Sequence, residues 1–183
     1  MKLRDLYKTN TTNDGMRSLF ESILIPEVVK AFSDWKNSTQ NLEYVLIGGI
    51  ALSYYTKPRT TTDVDVLFPK ASDIPDLINR FKKHRVGAFQ HNETHVEIKV
   101  LTPSSINMSE DLAKAIYVSA RIIDGIRIAS PSGLVASKLG RFKLQDQADI
   151  EALCEIEKID LTPYPISKEW IDRYKKLLRI LGK

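Results

Sequence analysis

The stretch YVLIGGIALSYYTKPRTTTDVDVLF, Tyr44 to Phe68, joins an apolar run that stops at a Gly pair to a second apolar run that carries two aspartates. Val64, Val66 and Leu67 predict a strand, and successive strand side chains point to opposite faces. Asp63 and Asp65 therefore share one face. Two like charges side by side on a stiff element repel, and folding alone gives no reason for them unless a cation sits between them. Upstream, YVLIG predicts a strand that gives way at Gly48 and Gly49 to a short helix in IALSYYTK, ending before Pro58. Backbone N–H groups at such a turn approach a phosphate closely, and the helix dipole favours the anion. A tight turn with no ligand accounts for a Gly pair just as simply.

Working outward, the N-terminal region predicts a helix from about Asp14 to Trp35, kinked or divided by Pro26. ASDIPDLINRFKKH predicts a helix from near Asp73, and RVGAFQ and HVEIKVL predict strands. YVSARIIDGIRIAS predicts a hairpin turning on Asp124-Gly125. Helices are expected over Pro131 to Lys143, Asp146 to Lys158 and Ser167 to Leu181, with DLTPYPIS as a loop. The fold class is α/β or α+β with a small mixed sheet, in one domain. Residues 1–40 form its helical N-terminal segment, 41–130 its sheet core, and 131–183 its helical extension.

The chain has 183 residues, enough for one domain with a real core, and its 43% hydrophobic and 27% charged residues are those of an ordinary globule. No apolar run approaches the roughly 18 residues of a membrane span, and the N-terminus is polar. A single cysteine excludes an internal disulfide framework and fits a cytoplasmic protein. That residue, Cys154 in ALCEI, is expected to be a small buried hydrophobe. A net charge of +4 and a pI near 9.1 suit anionic partners such as nucleotides or RNA without requiring them.

Thirteen residues separate Gly49 from Asp63, which puts a phosphate-sized turn and a paired-carboxylate strand in one local unit. Magnesium takes oxygen ligands, often one or two carboxylates with substrate phosphates completing the shell. Two such ions activate an attacking hydroxyl and stabilise a leaving pyrophosphate. Glu97 in HVEIKVL is the candidate third carboxylate, sharing its strand face with His95 and Lys99; a solvated face with a Glu–Lys pair is the simpler alternative. Lys138 falls inside the apolar arc of its helix, where it needs a phosphate, a carboxylate or a route to water. Arg59 offers a fork for a triphosphate and Thr61 a hydroxyl to orient Asp63, or both fix the loop after Pro58. Asp146 suits an N-cap, and Asp149 a partner for Arg141. The final helix sets an apolar stripe through Trp170, Tyr174, Leu177, Leu178 and Leu181 against a basic face, and His84, His91 and His95 form no metal spacing.

GGIALSYYTKPRTTTDVDV, with Arg59, Thr61, Asp63 and Asp65 in an R-x-T-x-D-x-D arrangement, resembles the polymerase-β-like nucleotidyltransferase superfamily. Within it the chain most resembles the minimal nucleotidyltransferases of the abortive-infection toxin group (AbiEii type). SPSGLVASKLGRFKLQDQADIEAL is similar to that group's helical signature through Lys138, Arg141, Asp146 and Asp149. The resemblance implies a small mixed sheet with flanking helices and a nucleotide site at Gly48, Gly49, Arg59, Thr61, Lys138 and Arg141. It implies two Mg2+ ions, replaceable by Mn2+, on Asp63, Asp65 and Glu97, and transfer of a nucleoside monophosphate from an NTP to an acceptor hydroxyl. Acceptors in such relatives are transfer RNA, protein or antibiotics, and toxin–antitoxin partners occur. Two departures stand out: Gly49 replaces the usual small hydroxyl residue, and Glu97 replaces the usual Asp. A noncatalytic antitoxin-like or regulatory binding protein on the same fold is the alternative.

Overall fold

The computed structural model describes residues 25–56 and 61–182. The predicted helix before Ile25, and Arg59, lie outside them. Helix α1 is Pro26–Ser38; Pro26 begins it, at the one helical position where a missing N–H costs nothing. Strand β1 (Val45–Ile47) runs directly into α2 (Gly48–Ser53), and β2 (Asp63–Leu67) returns beside it. Next come β3 (Phe81–Arg85), β4 (Ala88–His91) and β5 (Glu97–Leu101). Helix α3 (Glu110–Val118) leads to the hairpin β6 (Arg121–Ile123) and β7 (Ile126–Ile128). Helices α4 (Pro131–Leu139), α5 (Leu144–Ile156) and α6 (Lys168–Ile180) follow.

The seven strands form one mixed sheet in the order β3-β4-β5-β2-β1-β7-β6. Pairs β1/β7 and β2/β5 are parallel and the others antiparallel. The predicted α/β class with a mixed sheet is what the chain adopts. Strand pairing puts Val64, Ile98 and Phe89 on one face, where Trp35 of α1 packs against Phe89 at 5.9 Å and meets Phe81 edge-on at 5.4 Å. Farther along the chain, Leu134, Val135, Leu139, Ile150 and Leu153 of α4 and α5 are wholly buried. Each such side chain is worth about 1.5–3 kcal/mol of apolar burial.

The sequence expectations fail at four elements, each for a local reason. The stretch after Asp73 is not a helix: Ala71–Asp73 is a single 3-10 turn, and Phe81–Arg85 is a strand. Pro75 bars a continuous helix, and Phe81 gains more from the aromatic cluster around Trp35 than helix propensity offers. The resulting edge strand exposes Lys82, Lys83, His84 and Arg85. Tyr117 and Val118, expected in the hairpin, instead end α3, which Ser109 caps by accepting from the Leu112 N–H at 3.2 Å. The hairpin itself turns on Asp124 and Gly125, both at positive φ. Helix α4 stops at Leu139, four residues early, and Phe142 reverses the chain at φ 49°. Because α5 starts at Leu144, Asp146 is its third residue and not its N-cap.

Candidate functional site

Register assembles the acidic face. In the parallel β2/β5 pair, Asp63 lies beside Glu97 and Asp65 beside Lys99, so all four side chains project from the face opposite Val64 and Ile98. The Lys99 ammonium donates to Asp63 Oδ2. Thr61 donates its hydroxyl to the Asp63 carbonyl and to Asp63 Oδ1, each at 3.2 Å. Burial opposes the charge on Lys99, but the bond to Asp63 and the nearby carboxylates outweigh it and raise its pKa.

Glu97 does not turn toward the aspartates. Its two oxygens are forked by Arg85, with Nε at 2.9 Å and Nη2 at 2.6 Å. That bond holds the Glu97 carboxyl below its usual range. Among the described residues no group of three or more His, Cys, Asp or Glu is placed to hold a metal ion. The predicted three-acid set is therefore a pair, Asp63 and Asp65, with Glu97 engaged elsewhere. Two carboxylates still fit a hard cation whose remaining ligands are phosphates and water.

Asp65 faces a cleft of about 590 Å³ lined by Gly48, Ser137, Lys138, Gly140, Arg141 and Trp170 among others. Burial, and next the Asp63 charge, raise the Asp65 pKa against the opposing pull of Lys99, Lys138 and Arg141. Gly48 has φ 72°, and a Cβ there would stand 2.1 Å from Asp65 Oδ2. Only glycine admits both that backbone and that carboxylate. Gly49 is buried within α2 and does not line the cleft.

Lys138 and Arg141 also line the cleft, and each is anchored by a carboxylate. Lys138, 7% exposed, donates to Asp149 Oδ2 at 2.6 Å and lies 3.7 Å from Asp146 Oδ1. Arg141 forks Asp146, through Nε at 2.9 Å and Nη2 at 2.7 Å, so its partner is Asp146 and not Asp149. Asp146 also accepts the Lys143 N–H at 3.0 Å. Burial works to raise its pKa, but the Arg141 bond and the backbone bond win and lower it. The lysine inside the apolar arc thus found a carboxylate, one of the partners its sequence position demanded.

Arg85 and Trp170 escaped the sequence reading. Arg85 sits at a register shift between β3 and β4, at the junction of a predicted helix and the predicted strand RVGAFQ. Trp170 reads as core stripe, yet its indole also walls the cleft; a Cβ on Gly140 would lie 2.7 Å from its Cζ2. The G-R-F run after Lys138 was the available signal, since glycine near a helix end often admits a large neighbour. Cys154 is only half-buried, 3.5 Å from the Tyr174 hydroxyl. His91 is buried between Asp34 at 3.0 Å and Thr94 at 2.8 Å, and His84 and His95 are exposed.

A family model described as "Nucleotidyltransferase of unknown function (DUF6036)" matches residues 25–177, most of the chain. The chain belongs to that family. Among solved structures the chain is similar to an antigenic nucleotidyltransferase-like protein from Paracoccidioides brasiliensis, with a TM-score of 0.56. The match covers 85% of this chain and 88% of that one at 17% identity, a likeness of fold alone. No curated protein matches the chain.

Proposed function

We propose that this nucleotidyltransferase-family chain is an enzyme that transfers a nucleoside monophosphate from an NTP to an acceptor hydroxyl, with the abortive-infection toxin group as its functional kin. The observation that supports this most is the setting of Asp65. It lies against the bare backbone of Gly48 and faces a cleft that Lys138 and Arg141 also line. A carboxylate and cations around such a space suit a ligand that is both anionic and metal-bound, which is a triphosphate.

Mg2+, or Mn2+ in its place, would be held by Asp63 and Asp65 and would neutralise phosphate charge when bound. The remaining work belongs to the chain. Arg141 spends two of its five N–H donors on Asp146 and, with its side chain 63% exposed, offers the others to a phosphate oxygen. Lys138 lies deeper and contributes its field rather than a grip. Thr61 fixes the rotamer of Asp63, and Gly48 lets a phosphate approach main-chain N–H groups without a side chain in the way. Trp170 gives the cleft an aromatic wall suited to a base. Transfer then depends on positioning and electrostatics.

No described helix is long and apolar enough to cross a membrane, and we place the reaction in the cytoplasm. The test is to incubate the protein with each labelled NTP and a cell extract and to ask whether RNA, protein or small molecules take the label. Label transfer by the natural chain and none by Asp65→Ala is the expected result; equal transfer by both would remove the assignment. A second reading, a noncatalytic binding protein, draws support from the ion pairs already engaging Asp63 and Glu97. Absence of thermal stabilisation by any NTP with Mg2+ would favour it.

A further inference from the structure

The β2/β5 face brings its own cations. Pairing across β2, β5, β4 and β3 aligns Asp65, Lys99, Ala88 and Arg85 in one row. Ala88 is too short to fill its place in that row, and the long Arg85 side chain closes its fork on Glu97. Lys99, from the middle of the row, reaches Asp63. Three carboxylates thus meet one ammonium and one guanidinium, which leaves a single net negative charge. One divalent cation already reverses that sign, so a second would enter a positive field. A two-pronged guanidinium bond also engages both oxygens of the one carboxylate a second ion would need.

We propose that Arg85 and Lys99 are built-in counter-ions that restrict this face to one divalent cation, with Arg85 the positioning residue that keeps Glu97 out of the ligand set. This rests on Asp63 and Asp65 being the ligands. It departs from the pair of ions that the family resemblance implies, and it places the difference in residues exposed enough to change without disturbing the core. Arg85 has a side-chain exposure of 59%, and its loss leaves no buried group without a partner.

The full chain is titrated with Mn2+ alone, free ion being read by electron paramagnetic resonance, and each variant's melting curve verifies its fold. The natural chain should bind one ion, and Asp65→Asn should lose it. Arg85→Met should bind two, and the double variant Arg85→Met/Glu97→Gln should return to one. Glu97→Gln alone should still bind one ion, less tightly because one neighbouring negative charge is removed, a check that does not depend on the folding of any Arg85 variant. Lys99→Met should bind its one ion about tenfold more tightly, as one neighbouring positive charge is removed. Two ions on the natural chain, or one on Arg85→Met, would overturn the proposal while leaving the ligand assignment in place. Binding that is absent, or that survives Asp65→Asn undiminished, would instead remove the ligand assignment and this inference with it.

Discussion

On the sheet face, Lys99 and Asp63 are 33% and 28% exposed and Arg85 reaches 59%. In the helical set, Lys138, Asp146 and Asp149 are between 1% and 7% exposed, although the same kinds of group are joined. Water competes for the first set and hardly for the second. The sheet-face pairs are therefore inexpensive to open and available to a ligand, since exposed pairs contribute about 0–1 kcal/mol. The buried set behaves as structure, because removing one partner leaves a charge out of water with less to offset it. The site thus has a sheet-face wall whose charges exchange partners and a helical wall, Lys138 with Asp146 and Asp149, whose charges do not.

The largest effect should come from the fixed wall. Lys138→Met removes the ammonium that Asp149 and Asp146 share, with Asp146 keeping its Arg141 fork, and should cost about 3–5 kcal/mol in urea unfolding; a loss as small as that of an exposed pair would erase the contrast. Gly140→Ala drives a methyl into the Trp170 indole and should cost about 1–3 kcal/mol, read from the same unfolding curves. Gly48→Ala forces a left-handed alanine, about 1–2 kcal/mol from the backbone alone. It also displaces the Asp65 carboxylate, so nucleotide-induced thermal stabilisation should vanish as well.

Asp65 sharpens the comparison through pH. Its folded-state pKa lies above its unfolded value, so its stabilising contribution is complete below the unfolded pKa and is lost as pH rises through the folded one. Asp65→Asn should therefore melt higher than the natural chain near neutrality, and the gain should shrink as the solution is acidified. Equal melting at all pH values would mean that Asp65 is not held at an electrostatic cost. The smallest effect belongs to the exchangeable wall, where Lys99→Met should shift stability by less than about 1 kcal/mol.

How much of this was legible beforehand depends on whether the signal was local. Alternation in DVDVL and the apolar run before Gly48 are local patterns, and they placed β1, β2 and the paired aspartates correctly. The apolar arc around Lys138 likewise showed that the residue needed a partner. What escaped was decided across the chain. The strand at Phe81 owes its place to Trp35, almost fifty residues away, and nothing in FKKHR alone announces it. With β3 unrecognised, Arg85 had no assigned neighbour, and its claim on Glu97 stayed out of view. Similarly, the sequence pairs Arg141 with Asp149 instead of Asp146 and assigns Lys138 no particular acid, because a two-residue shift in the start of α5 rotates Asp146 and Asp149 by more than half a turn.

Among the described residues, the row Lys82, Lys83, His84 and Arg85 lies on an outermost strand of the sheet. An identical strand arriving from another molecule would meet like charge all along its length, so this rim repels its own kind. That protection is ionic and short-ranged, and concentrated salt would strip it away before touching the fold.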